Sequence, residues 1–127
     1  VLIEPGKYPA ELVDWSKEYS RQFRKLTLVM NFRIGADVIP SWFNIEPSDS
    51  ETTVKAGWKS NFLRMYQGCL NVRLDRRDRI SMKPFAGRIL KVEVVSITRD
   101  SDGSLMSEVN HYSRVKKILG VREEVMY

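Results

Sequence analysis

Residues 26–45 read LTLVMNFRIGADVIPSWFNI, two alternating arms joined by Gly35-Ala36 alone. A two-residue loop with Gly at its first central position fits a type II′ turn, whose twist suits antiparallel strands. Such a turn sets the register: Ile34 faces Asp37, Arg33 faces Val38, Phe32 faces Ile39, Met30 faces Ser41 and Leu28 faces Phe43. Side chains alternate between the two sides of a strand. One side therefore collects Leu28, Met30, Phe32, Ile39, Phe43 and Ile45, and the other Val29, Asn31, Arg33, Val38, Pro40, Trp42 and Asn44. Both arms agree on the apolar side, and a slip of one residue would reverse it. This register puts Trp42 outside, across from Val29.

The rest of the chain extends the β pattern. In GKYPAELVDW, Tyr8, Ala10 and Leu12 alternate with Pro9 and Glu11. Pro9 has no ladder donor, which places that strand's start at an edge or a bend. A polar stretch, residues 16–25, and an acidic one, EPSDSETT at 46–53, read as loops. In WKSNFLRMYQGCL the period changes: Trp58, Phe62, Leu63, Met65, Tyr66 and Leu70 recur at helical spacing. A helix of about three turns follows from the geometry, with Gly68 as its stop. The β-branched run RILKVEVVSITRD, a turn at DSDGS, and MSEVNHYSRVKKIL, with some helical character near its end, complete the chain. No repeat, low-complexity stretch or linker divides the 127 residues, 43% of them hydrophobic, so residues 1–127 read as a single domain. The expected class is mainly β: an OB-fold-like five-stranded Greek-key barrel, with one helix between strands three and four.

The opening PGKYPAELVDW, the step KPFAGRILKVEV and the closing HYSRVKKIL resemble a phage and mobile-element family of small proteins related to single-stranded DNA-binding proteins. The likeness spans most of the chain, and its motifs are structural rather than catalytic. It implies an OB-fold and binding of single-stranded DNA in replication or recombination of a mobile element. It also implies a location in the cytoplasm of a bacterial host. It supplies no binding map residue by residue.

The residues themselves suggest where a strand would lie. Single-strand binding needs cations for phosphates and flat rings for bases. Trp42 would serve as the stacking platform, with Arg33 and Asn31 beside it for phosphate or base edges. The other readings of Trp42 are burial under the helix and a contact between copies of the chain. WSKEYSRQFRK interleaves Trp15, Tyr19 and Phe23, spaced by four, with Lys17, Arg21, Arg24 and Lys25. It reads as a binding loop between strands one and two; a short amphipathic helix suits the same spacing. In RLDRRDRISMK, Arg73, Arg76, Arg77, Arg79 and Lys83 outnumber Asp75 and Asp78. Arg76, Arg77 and Arg79 are DNA-binding candidates, unless they pair with those aspartates. Arg114, Lys116 and Lys117 form a further basic group on the last strand.

The formal charge of +5 permits a polyanionic partner without demanding one. Catalytic patterns are missing. His111 is the only histidine, which rules out a two-His metal site, and it reads as a packed strand residue. No CxxC, GxxxxGK[ST] or GxSxG occurs. Asp49 and Glu51 in SDSE are better read as an exposed acidic loop than as a cation site. The single cysteine, Cys69, excludes an intramolecular disulfide, suits a reduced compartment and reads as a small core residue. No apolar run is long enough to span a membrane, and no signal peptide is visible. The expected function is non-enzymatic binding of single-stranded DNA with little sequence preference, without cofactor or metal. The principal alternative is an OB-like protein-interaction module of a mobile element, an adaptor or inhibitor, and RNA binding is a weaker third. Replication or recombination proteins and a second copy of the chain are the other partners considered.

Overall fold

β1 (Gly6–Ser20) forms the backbone of the sheet, and the computed structural model describes residues 2–99, 103–107 and 110–121. Its first part, Gly6–Glu11, pairs with β6 (Ile89–Ile97), and its second, Glu11–Ser20, with β2 (Lys25–Ile34). β1 thus changes partners near Glu11. A bulge follows at once, leaving Val13 between the paired Leu12 and Asp14. Pro9 falls in the stretch with no pairing towards β2, so its missing donor costs no ladder bond on that side.

The hairpin of β2 and β3 (Asp37–Asn44) has the expected register at every pair, including Leu28 opposite Phe43 and Val29 opposite Trp42. Gly35 takes φ of +60° while Ala36 keeps a negative φ, as a type II′ turn requires. Leu28, Met30, Phe32, Ile39, Phe43 and Ile45 are all buried in the core. Val29, on the opposite side, is buried as well.

The sheet is antiparallel, in the order β3-β2-β1-β6-β7, with β7 at Tyr112–Val121. It curls enough to bring β3 near β7, yet no ladder joins these two edges, and the sheet is not closed. Helix α1 (Asn61–Leu70) packs against both edges beneath this seam. Phe62, Leu63 and Tyr66 are its buried face, and a chain of rings runs Phe43–Phe62–Tyr66–Phe85 at centroid distances of 5.7, 5.8 and 5.4 Å. Tyr66 also donates from its hydroxyl to Ser81 O at 2.7 Å. At the far end of the core, Ile3 N donates to Ser113 Oγ at 2.8 Å, tying the first residues to β7.

Three expectations are corrected. The stretch Trp15–Ser20 is neither loop nor helix but the second half of β1, and Arg21–Arg24 alone make the turn. A spacing of four is even, so it keeps side chains on one side of a strand as readily as of a helix. Gly68 lies inside α1, and the helix ends instead at Asn71, which adopts the left-handed conformation with φ of 53°. Trp58 precedes the N-cap Ser60, outside the helix, and is 47% exposed. The structure also adds a small second sheet, β4 (Thr53–Val54) with β5 (Ile80–Ser81), inside segments that read as loops. Of the DSDGS turn, Asp100, Ser101 and Asp102 lie outside the described residues, as do Glu108, Val109 and 122–127.

Candidate nucleic-acid interface

The candidate residues fall into four places. The first is the tip of the β1–β2 ribbon. Tyr19 and Phe23 are 62% and 55% exposed there, amid exposed Arg21, Arg24 and Lys25. Ser20 Oγ accepts from Phe23 N at 3.3 Å, and Arg24 takes a positive φ of 51° to close the turn. Below Tyr19 runs a shallow depression lined by Arg24, Leu26, Asn44 and Pro47. This cluster matches the rings-with-cations expectation, although it is built on strand ends and a tight turn.

The second place is the outer side of the β2–β3 hairpin, with Asn31, Arg33 and Trp42. Arg33 is exposed. Asn31 is engaged with β1, its Nδ2 donating to Asp14 Oδ1 at 2.6 Å. Register carries further carboxylates onto the same side of β1: Glu11 lies opposite Arg33, Asp14 opposite Asn31 and Glu18 opposite Thr27. Three carboxylates of β1 thus share that half of the outer side with Arg33.

Trp42 is half-buried on the other half. Tyr112 of β7 meets its ring edge-on, with centroids 6.2 Å apart. Arg114 lies over the ring, its Cζ 5.9 Å from the centroid. The residue expected to be a bare platform is therefore already in contact across the open seam. Alongside runs a groove of about 530 Å³ between β3 and β7, lined by Trp42, Met65, Arg114, Lys116, Lys117 and Leu119 among others. Among the described residues its lining includes no carboxylate. Arg114, Lys116 and Lys117 stood in the sequence as a basic group, but Tyr112 and the groove itself did not. Only the pairing of β6 with β7 reveals how those residues are aimed.

The third place is Trp15, which pairs with Met30 on the inner side and packs against the core. It is not part of a binding loop. The fourth is the 73–83 loop. Arg76 makes a two-pronged bond to Asp78, Nε to Oδ1 at 2.7 Å and Nη2 to Oδ2 at 2.8 Å. Held by that bond, the Asp78 carboxyl titrates well below the usual range. Arg77 pairs with Glu46, just past the end of β3, rather than with a neighbouring aspartate. Arg76 and Arg77 are thus already neutralised, while Arg79 is exposed and has no ion pair among the described residues.

Other polar groups are structural. His111 Nε2 lies 3.0 Å from Met106 O in the turn before β7, not within a strand. Lys17 Nζ donates to Ser50 O at 2.7 Å, fastening the acidic loop to β1. Among the described residues no cluster of His, Cys, Asp or Glu is placed to hold a metal ion, and no helix is long and apolar enough to cross a membrane. Comparison of the chain with family models, curated proteins and solved structures finds no match.

Proposed function

We propose that this protein binds single-stranded DNA, without catalysis and with little sequence preference, on a partly open OB-like barrel. The strand order supports the OB reading: β6 returns past β2 to lie beside β1, as in a Greek key, and the helix falls between the third and fourth long strands. The observation that carries the function is that surface rings stand among cations held in no ion pair among the described residues. Tyr19 and Phe23 do so at the ribbon tip, and Trp42 beside Arg114 on the outer side. Bases stack on such rings whatever their sequence, and phosphates follow the cations. From the resemblance noted in the sequence we infer that this activity serves replication or recombination of a mobile element, within the bacterial cytoplasm. The test is binding of labelled oligothymidine over a range of salt, with duplex of equal length as competitor. Single-strand affinity that falls steeply with salt is expected, and no binding at low salt overturns the proposal.

A second reading draws on the free edges of β3 and β7. An unpaired strand edge accepts an added strand from another protein. A module of that kind would bind its partner with little salt dependence and ignore oligothymidine.

A further inference from the structure

We infer that the groove along the open β3–β7 seam seats one nucleotide of the bound strand, its phosphate on Arg114 and Lys116 and its base on the apolar floor. This rests on the single-stranded DNA reading and adds to it a path for the strand, across the seam rather than along the hairpin. Charge points there first. Glu11, Asp14 and Glu18 outnumber Lys7 on the β1 side of the outer surface, while among the described residues the groove lining carries three cations and no carboxylate. A polyanion is therefore steered off β1 towards β7.

Backbone irregularity points to the same place. β7 pairs Val115 with Val94, Lys117 with Glu93, Ile118 with Val92 and Gly120 with Lys91. Lys116 and Leu119 are thus extra residues at two bulges, and both line the groove. In a regular strand Lys116 and Lys117 would point to opposite sides; here both are exposed at the groove. Bulges commonly re-aim side chains in this way at functional edges. Lys117 has Glu93 across from it, so Lys116 is the stronger phosphate contact.

Chemistry then selects the ligand. The Arg114 guanidinium is pre-positioned against Trp42, and its buried Nε has no hydrogen-bond acceptor among the described residues. Nε itself is closed to a ligand, but the planar guanidinium fork suits a phosphate oxygen. Trp42, Met65 and Leu119 supply an apolar surface beside it, which free inorganic anions do not use and a nucleobase does.

The probe is the 5′-phosphorylated dinucleotide pTpT, titrated into the full chain while following the Arg114 Nε–H and Trp42 indole N–H signals by NMR. Both are expected to shift, and Trp42→Phe identifies the indole peak by removing it. Absence of a shift overturns the groove even where oligothymidine binds. Equal shifts with tetra-aspartate also overturn it, because the groove would then read charge alone. Failure of oligothymidine to bind at all sinks the single-strand reading instead, and pTpT reports on the groove separately. In oligothymidine binding, Arg114→Ala is expected to cost about tenfold in affinity and to flatten the salt slope by about 0.7. Arg114→Lys should restore the slope but not the full affinity, since it lacks the fork. Lys116 is exposed, so Lys116→Ala tests the groove without disturbing the core. Wild-type affinity in both Arg114→Ala and Lys116→Ala refutes the assignment.

Discussion

Phe43 is buried edge-on against Phe62, with centroids 5.7 Å apart, while Trp42 beside it stands half-exposed between Tyr112 and Arg114. Their truncations should differ in kind. Phe43→Ala removes a core ring and is expected to cost about 3–5 kcal/mol of stability. Trp42→Ala gives up one ring pair and one cation–π contact, about 1–2 kcal/mol together. Its larger effect should be on binding, by about 1–3 kcal/mol if a base meets that ring. Thermal melts and oligothymidine titrations of both variants separate these effects. An equal loss of stability would mean that Trp42 is a core residue. Cys69 supports a prediction of another sort. Its Sγ donates to Ile118 O at 3.4 Å, and burial pushes its thiol up to about 11 from 9.0. It should react slowly with a thiol reagent at neutral pH, and quickly only after unfolding. The unfolded thiol ionises first, so this group's contribution to stability is full below pH 9 and is lost as pH rises towards 11.

At the level of elements, the β2–β3 hairpin was legible because its turn and both arms carry the same instruction. Gly35 supplies the positive φ, and the alternation on each side permits one register. The end of α1 was not legible, because two residues compete for the role. Gly68 has the better composition, but Asn71 also tolerates the left-handed conformation, and Val72 N bonding to Gln67 O fixes the end there. The start is clearer. Ser60 accepts from Leu63 N at 3.2 Å, and Ser60→Ala should cost about 1 kcal/mol in a denaturant melt. The bulges of β7 could not be read from VKKILG, since an extra residue is defined only against a partner strand. The 73–83 loop shows a related limit. Its aspartates were visible, but Glu46, the partner of Arg77, comes from the other side of α1. Replacing Arg76 and Arg77 with Ala together should therefore shift the salt slope of binding by less than about 0.7, one phosphate contact. A shift nearer two contacts would show that both arginines leave their carboxylates for DNA.

Across the whole molecule, cations do not form one basic face. Those that stand beside surface rings lie at the ribbon tip and along the β3–β7 seam, with Glu11, Asp14 and Glu18 on the outer side of β1 between them. Composition gives the net +5 but not this division, which depends on strand order. The division leads to a prediction about form of ligand. Duplex DNA carries the denser charge, and its salt slope per contact, about 0.9, exceeds the 0.7 of single strands. If charge alone drove binding, duplex would therefore compete at least as well as oligothymidine. Its bases, however, are stacked inside the helix and cannot reach Tyr19, Phe23 or Trp42. A stiff rod also cannot follow a surface whose two basic regions are separated by carboxylates, whereas a flexible strand can span them. Oligothymidine should thus outcompete equal-length duplex by at least tenfold at moderate salt. That preference should shrink when Tyr19, Phe23 and Trp42 are replaced by Leu, which keeps apolar bulk but removes the flat ring. Equal competition by duplex in the wild type, or an undiminished preference in the triple variant, would show that the exposed rings do not take bases.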